Sequence, residues 1–500
     1  MTDTAPTTYD LAIVGGGING AGIARDAAGR GLSVVLLEKD DLASHTSSWS
    51  TKLIHGGLRY LEYHEFRLVA ESLAEREVLL AAAPHIISPL QFVLPHEPHL
   101  RPAWMIRAGL FLYDHIGGRR SLPGSFSVTL TSDAWGAGLK SRFRTGFVYS
   151  DARVDDARLV VANAIDARAH GADIRVRTEM IDAKRTHGVW SIGARHASGE
   201  RSTIRAHALV NAAGPWVARV HDEAGAARGK ERVRHVKGSH IVVPRVHARE
   251  HAYILQNADK RIVFVIPYEG EFTLIGTTDI QVDDYEHPQI SAQETEYLCS
   301  IASAYLERPI TPKDVVWTYS GVRPLYDDGA TDPAAITRDY VLKLESDAGK
   351  MPLLSIFGGK ITTYRRLAEA ALAELEPFFP AMRPAWTRGR ALPGGDMPAG
   401  IAAYGHELAS RYPDIDPELL DALLHRHGTH APRILGNARR PTELGRHFGD
   451  TLYAAEIDYC MREEWARDGE DMLWRRTKCG LHLTTSERAA VGAYMRERLS

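Results

Sequence analysis

The sequence predicts an α/β chain that is interrupted by an antiparallel β domain (an α+β insertion) and closed by a small helical domain. Three observations carry that prediction. Residues 9–38, YDLAIVGGGINGAGIARDAAGRGLSVVLLE, read as strand, glycine turn, helix and strand. From about Arg232 the chain turns to short apolar β runs, and past Leu392 it turns to helical spacing with little β pattern. The 500 residues are also too many for one hydrophobic core.

The opening unit justifies the α/β part. An apolar run over 11–14 predicts a buried strand, and Gly15, Gly17 and Gly20 follow at GxGxxG spacing. A helix of small residues over 18–30 is closed by Gly31, and a second apolar run over 33–37 ends in Glu38. Gly15 permits the tight turn, Gly17 lets the backbone approach a pyrophosphate, and Gly20 lets helix and strand pack closely. The helix N-terminus offers unpaired N–H groups and a positive dipole end to that pyrophosphate. Glu38 is placed to accept hydrogen bonds from an adenosine ribose. In that order these features mark a Rossmann-like dinucleotide-binding unit, and by themselves they do not separate NAD from FAD.

The next stretch, 44–51, is rich in hydroxyls, among them Ser47, Ser48 and Thr51, and His55-Gly56-Gly57 follows. A surface loop accounts for it. So does a cofactor-lining segment, because hydroxyls and N–H groups bond phosphate and ring oxygens, and Gly56-Gly57 lets backbone lie against a flat ring. Residues 65–82 predict an amphipathic helix. Residues 95–102 form a stiff connector to 103–116, AWMIRAGLFLYDHI, an apolar helix flanked by Arg101, Arg107, Arg119 and Arg120. It is too short to span a bilayer. It reads first as a buried helix and second as one dipping into a headgroup layer.

A helix over 155–170 and strands over 172–184, 189–196 and 202–210 come next. Asn211-Ala212-Ala213-Gly214-Pro215-Trp216 then ends a strand and opens a helix, and small residues such as Ala213 and Gly214 suit close contact with the cofactor. After the β block, with one helix over 291–307, a buried strand at 353–357 leads to Gly358-Gly359-Lys360 and to a helix over 361–376 with Thr362 in its first turn. The expected organisation is therefore a discontinuous cofactor domain (1–230 and 350–390, with cap segments near 60–150), a β-rich substrate domain (231–349) and a helical domain (391–500).

Composition narrows the function classes. Apolar residues are 44% and charged residues 25%, as in ordinary globular proteins, and a net charge of −3 gives no bulk electrostatic case for nucleic acid. Cys299, Cys460 and Cys479 form no CxxC pair, so neither a disulfide framework nor a metal site is expected, which fits a reducing cytoplasmic compartment. MTDTAPTTYD contains no apolar signal region, and no run of eighteen apolar residues appears. Peripheral membrane attachment stays open.

A dinucleotide unit interrupted by a β insertion and closed by strand, Gly-Gly and helix is the layout of enzymes whose flavin lies between two domains. The stretches GGGINGAGIARDAAGRGLSVVLLE, STKLIHGGLRYLE, NAAGPW, KGSHIVVPR, IVFVIPY, IGTTD, TYSGVRPL, ITRDY, FGGKITTYR and LWRRTKCGL resemble the bacterial aerobic, FAD-dependent glycerol-3-phosphate dehydrogenase family, in order and over nearly the whole chain. Trp49, bulky between hydroxyls where that family favours small residues, is a departure. The resemblance implies an FAD enzyme that oxidises sn-glycerol 3-phosphate to dihydroxyacetone phosphate, passes electrons to a membrane quinone, and sits peripherally on the inner face of the cell membrane. It also implies that Tyr60, Arg323, Arg338 and Lys360 contact the substrate, and arginine suits a phosphate dianion because its planar donors bind two oxygens. Lys360 would also serve to stabilise negative charge on the reduced flavin.

His240, in an apolar β segment, reads as a satisfied core histidine or as the general base for the substrate hydroxyl, with His55 the competing base. A flavin oxidase that uses O2, an amino-acid oxidase of the same fold and a flavin-binding sensor without turnover are the rival readings. A homodimer built through the C-terminal domain is compatible with the residues, and nothing in them demands it.

Overall fold

The computed structural model describes residues 8–97, 101–118, 121–131, 134–225, 232–257, 261–327 and 339–499. Its first sheet has eight strands. The strand Thr8–Val14 lies at the centre, parallel to Val34–Leu37 on one side and to Arg201–Asn211 on the other. Asp173–Arg175 extends the parallel order beyond Val34–Leu37, and Lys350–Phe357 extends it beyond Arg201–Asn211. A strand from the far end of the chain thus completes the sheet begun at the N-terminus, and the cofactor domain is discontinuous.

The two apolar runs are continuous because both faces of the sheet are covered. Leu11 and Ile13 point to a core shared with the helices Ile18–Gly29, Asp156–Ala169 and Tyr364–Leu375. Ala12 and Val14 point to the other face, under the meander Thr178–Thr186, Val189–His196 and the start of Arg201–Asn211. The expected strand over 172–184 is two strands, broken near Arg177, whose φ of +50° is incompatible with a continuous ladder.

The second sheet has ten strands. Its spine is the long antiparallel pairing of Arg232–Pro244 with Trp317–Asp327, in register from Arg232 opposite Asp327 to Val242 opposite Trp317. Phe272–Gly276, Ile262–Tyr268 and Ala252–Gln256 follow in antiparallel order. The sheet continues through a short parallel pairing into Ile87–His96 and then Thr145–Val154.

Two boundaries therefore differ from those read off the sequence. Strands within 60–150, taken as caps on the cofactor domain, belong to the second sheet. Val341–Asp347, taken as part of the β insertion, pairs antiparallel with Lys350–Phe357 in the first sheet. In both cases membership is set by pairing between distant strands, which local apolar patterning does not encode.

The helix Ala103–Ile116 lies on the surface, which corrects its first reading as a buried helix. Only Leu110 and Tyr113 are buried, whereas Trp104 is 70% and Phe111 60% exposed. Among the described residues, no helix is long and apolar enough to cross a membrane.

The C-terminal part is helical, with Ile401–Arg411, Pro417–His427, Ala454–Glu463 and Thr485–Leu499 around a core of its own that includes Leu408, Leu423, Ile457 and Met495.

Candidate functional site

The site begins at the glycine turn. Gly15, with φ of +110°, closes the first strand, and its N–H donates to the Leu37 carbonyl at 2.8 Å. A Cβ on Gly20 would stand 1.9 Å from the Gly15 carbonyl oxygen, and one on Gly15 would stand 2.4 Å from that of Ala212. These contacts pull the helix start onto the ends of two parallel strands. Gly17 caps the helix without a side chain, and the Ile18 N–H donates to Ser47 Oγ at 3.0 Å. Glu38 is buried. Its Oε2 accepts from Gly16 N–H at 2.6 Å and its Oε1 from Asp40 N–H at 2.8 Å, and burial pushes its carboxyl above the usual range.

A cavity of about 530 Å3 runs from this turn to the second sheet. Gly15, Gly17, Glu38, Ser47, Ala213 and Gly214 line it on one side, and Tyr60, Arg323, Gly358, Gly359 and Lys360 line it on the other. The positive φ values of Gly358 (+72°) and Gly359 (+101°) turn the chain so that Lys360 enters the wall. Asn19 Nδ2 donates to the Gly358 carbonyl at 3.1 Å and ties this second glycine turn to the first helix. Lys360 Nζ stands 3.9 Å from the centroid of the Tyr60 ring. The half-buried Arg323 pairs with Asp279 at 3.1 Å, and both line the cavity. Arg338 lies outside the described residues.

The remaining residues singled out from the sequence stand behind this wall. Ser48 Oγ donates to the Ala43 carbonyl at 2.6 Å, so it braces the loop. Gly56 gives space to Leu73 and to Tyr113, whose hydroxyl oxygen accepts from Gly56 N–H at 2.9 Å. Gly57 gives space to the Tyr60 ring, and Thr362 Oγ1 accepts from His55 N–H at 3.2 Å.

His240 is buried and stacked on Tyr319, with 4.7 Å between ring centroids, and its Nε2 is 3.0 Å from Thr51 Oγ1. Burial, reinforced by the Lys52 and Arg323 charges, pushes its imidazole down to about 3. His55 is also held below the ordinary histidine range, by burial first; Asp151 opposes that shift and Lys360 adds to it. Both imidazoles are neutral near pH 7, and of the cavity's cations His240 feels Arg323 and His55 feels Lys360.

Trp49 does not enter the cavity. Its Nε1 donates to the Ser44 carbonyl at 3.2 Å, and its ring packs on Trp317 and Tyr319 with centroids 5.9 and 5.4 Å away. The departure is absorbed in the packing between domains.

Sequence reasoning did not single out Asn19, Arg261 or Asp279 as lining the cavity. Asn19 stands inside the GxGxxG motif and Asp279 inside IGTTD, whereas nothing local marks Arg261.

The cavity fits FAD on its own geometry. A Cβ on Gly214 would meet no protein atom within 4 Å, so the backbone there faces cavity space that a side chain would fill, and a Cβ on Gly17 would meet only Ser47. The open helix start suits a pyrophosphate, and Glu38 stands where the ribose is expected. Fold and cavity together define an FAD-dependent oxidoreductase with its site between two sheets.

The family described as "FAD dependent oxidoreductase" matches residues 10–365, and "C-terminal domain of alpha-glycerophosphate oxidase" matches residues 385–499. The chain is 54% identical over 497 residues to a glycerol-3-phosphate dehydrogenase of Pseudomonas aeruginosa, covering 99% of this chain and 96% of that one. It is 50% identical to a D-erythritol 1-phosphate dehydrogenase of Brucella abortus, covering 97% of each. It shares its fold with a glycerol-3-phosphate dehydrogenase of Bacillus halodurans solved with FAD, at a TM-score of 0.77 and 24% identity, covering 99% of this chain and 95% of that one. The chain belongs to the FAD-dependent glycerol-3-phosphate dehydrogenase family.

Proposed function

We propose that the protein oxidises sn-glycerol 3-phosphate to dihydroxyacetone phosphate and passes the electrons to a membrane quinone. One observation carries the reading: the cavity that fits FAD is also lined by two cations, Arg323 and Lys360, from separate segments of the chain. FAD, when bound, supplies the hydride acceptor. The protein's own task is to hold the three-carbon phosphate and take the proton of its central hydroxyl. Arg323 and Lys360, with Tyr60 and, as the family resemblance implies, Arg338, bind the phosphate and fix the distance from charge to reacting carbon. A neutral imidazole is a competent proton acceptor. His240 is our first assignment for this base, and His55, beside Lys360, is the competitor.

The Brucella relative supports a second reading, in which the substrate carries one more carbon. One experiment addresses both. Purified holoprotein is mixed anaerobically with glycerol 3-phosphate or with D-erythritol 1-phosphate, and the loss of yellow absorbance is followed. Bleaching at least ~10-fold more efficient with glycerol 3-phosphate is expected, the size of discrimination that one extra carbon allows. Faster bleaching by D-erythritol 1-phosphate reassigns the substrate, and bleaching by neither overturns the reading. Parallel traces of O2 uptake and quinone-analogue reduction separate an oxidase from a dehydrogenase.

We assign the membrane contact to Ala103–Ile116. Trp104, Met105, Phe111 and Leu112 are exposed on it. Their spacing sets them on one side of the helix, as an interfacial anchor requires. We place the protein peripherally on the inner face of the cell membrane, with the quinone acceptor within that membrane.

A further inference from the structure

The C-terminal domain reaches the cofactor cavity indirectly, through one basic stretch, Arg475-Arg476-Thr477-Lys478. Arg476 is 0% exposed, and its Nη1 and Nη2 donate to the two oxygens of the buried Asp41 at 2.8 Å each. Its Nε and Nη2 also donate to the Glu464 carbonyl at 3.1 and 2.6 Å. Arg475 Nε donates to Asp41 Oδ2 at 2.7 Å, and its Nη2 donates to Asp471.

Asp41 does not line the cavity, but the chain on both sides of it does, with Glu38 and Lys39 before it and Ala43 to Ser47 after it. The main chain here is woven into the site. Asp40 N–H donates to Glu38, and Ala43 N–H donates to the Gly16 carbonyl at 3.1 Å. Arg177 adds a further tie, since its N–H donates to the Asp40 carbonyl at 2.8 Å while its Nη2 donates to Asp468 at 2.7 Å and Asp471 at 2.8 Å.

The far end of the same segment is held in a similar way. Lys478 Nζ donates to the carboxylate of Asp155 at 2.9 and 3.1 Å. The next residue, Asp156, accepts from Lys52 Nζ at 2.8 Å and from Ser50 Oγ at 2.7 Å, and Lys52 Nζ also donates to the Ser48 carbonyl at 2.9 Å. Residues 38–52 are thus gripped at one end by Arg475 and Arg476 and at the other by a chain of ion pairs that starts at Lys478.

We propose that this grip positions the cofactor-binding segment, so that docking of the C-terminal domain and affinity for FAD are coupled, with Arg475, Arg476 and Asp41 as positioning residues. The inference rests on FAD occupying the cavity and not on the substrate assignment, and its test uses no substrate. Planar, two-armed arginine donors on a buried carboxylate fix orientation as well as distance, which a point charge does not. Coupling of this kind runs in both directions, so bound FAD must in turn strengthen the grip.

Two variants and one wild-type measurement test this. Arg475→Lys keeps the charge and loses the planar fork. The double variant Asp41→Leu/Arg476→Met replaces the buried pair by apolar groups of similar bulk, while Arg475 loses Asp41 but keeps Asp471 as its partner. FAD affinity is read by quenching of flavin fluorescence on apoprotein, beside far-UV circular dichroism and the Tm of the apo form. The expected result is a Kd raised roughly 5- to 150-fold, the usual range of coupling between sites, with the circular dichroism unchanged. A Kd within about twofold of wild type in a folded variant overturns the proposal, whatever its Tm, because a plain domain staple lowers Tm alone. If neither variant folds, amide exchange on the wild-type protein decides: FAD must raise protection across 471–478 together with 38–52. Protection confined to the cavity wall overturns the proposal, and failure of wild-type apoprotein to bind FAD removes its premise.

Discussion

Arg323, which we assign to the substrate phosphate, is placed to select substrate without carrying the fold. Its strand is held by long pairing with Arg232–Pro244, while its guanidinium is half-exposed and pairs with Asp279 at 3.1 Å. An exposed pair of this kind is worth little to stability. A phosphate dianion brought against the same guanidinium gains charge-assisted hydrogen bonds worth about 1.5–3 kcal/mol. Arg323→Ala is therefore expected to stay folded and yellow and to lose roughly 10- to 150-fold in kcat/KM, mainly through KM. Wild-type kcat/KM in the yellow variant would contradict that assignment. At this scale the glycine turn was legible in the sequence because its backbone tolerates no other residue: Gly15 needs positive φ, and Gly20 has no space for a Cβ. The surroundings of His240 were not legible, since Thr51 reaches it from one distant segment and Tyr319 and the Arg323 charge from another, the strand Trp317–Asp327.

Among the elements, the helix Ala103–Ile116 shows how far apolar periodicity goes. Its length and type follow from the sequence, but apolar residues all round leave the buried side undetermined. Packing decides: Leu110 and Tyr113 face inward, and the Trp104 and Phe111 face is left to solvent. Burying one such large side chain contributes about 1.5–3 kcal/mol. Trp104→Glu/Phe111→Glu is therefore expected to weaken cosedimentation with anionic phospholipid vesicles about tenfold or more, with unchanged FAD content and unchanged bleaching by substrate. Cosedimentation equal to wild type would remove this helix from the membrane contact. The sheets show the complementary limit. Single strands were readable from apolar runs, but the pairing of Ile87–His96 with both Thr145–Val154 and Ala252–Gln256 joins segments that no local pattern connects.

Across the whole molecule, buried histidines link the domains to pH. His85, His240 and His251 are all buried, and burial, the first cause in each case, pushes each imidazole down to about 3. Neighbouring cations and histidines add to the shift: Arg158 and His427 for His85, Lys52 and Arg323 for His240, and His247 and Arg249 for His251. His85 feels His427 of the C-terminal domain, His240 lies on the strand Arg232–Pro244, and His251 immediately precedes the strand Ala252–Gln256. In the unfolded chain all three titrate near 6.5. Between about pH 6.5 and 3 the unfolded state therefore binds more protons than the folded one, and stability falls as pH falls. Each group contributes a slope of about 1.4 kcal/mol per pH unit once pH is well below 6.5. Carboxylates held below their ordinary range add nothing to this in the upper part of the range. Asp40, held at about 2 chiefly by its hydrogen bond to His45, and Glu294, held at about 2 against its own burial by Lys237, Ser291, Ser239 and Thr278, lose their contribution only as pH drops below about 4. The expected outcome is a Tm that is flat from pH 8 to 7 and falls steeply from pH 6 to 5, before any carboxylate limb begins. His240→Asn and His85→Asn, each removing one titrating imidazole, should each make that fall shallower. A Tm that holds level down to pH 5 would mean that these three imidazoles accept protons inside the fold, and that the burial assigned to them is relieved by local opening.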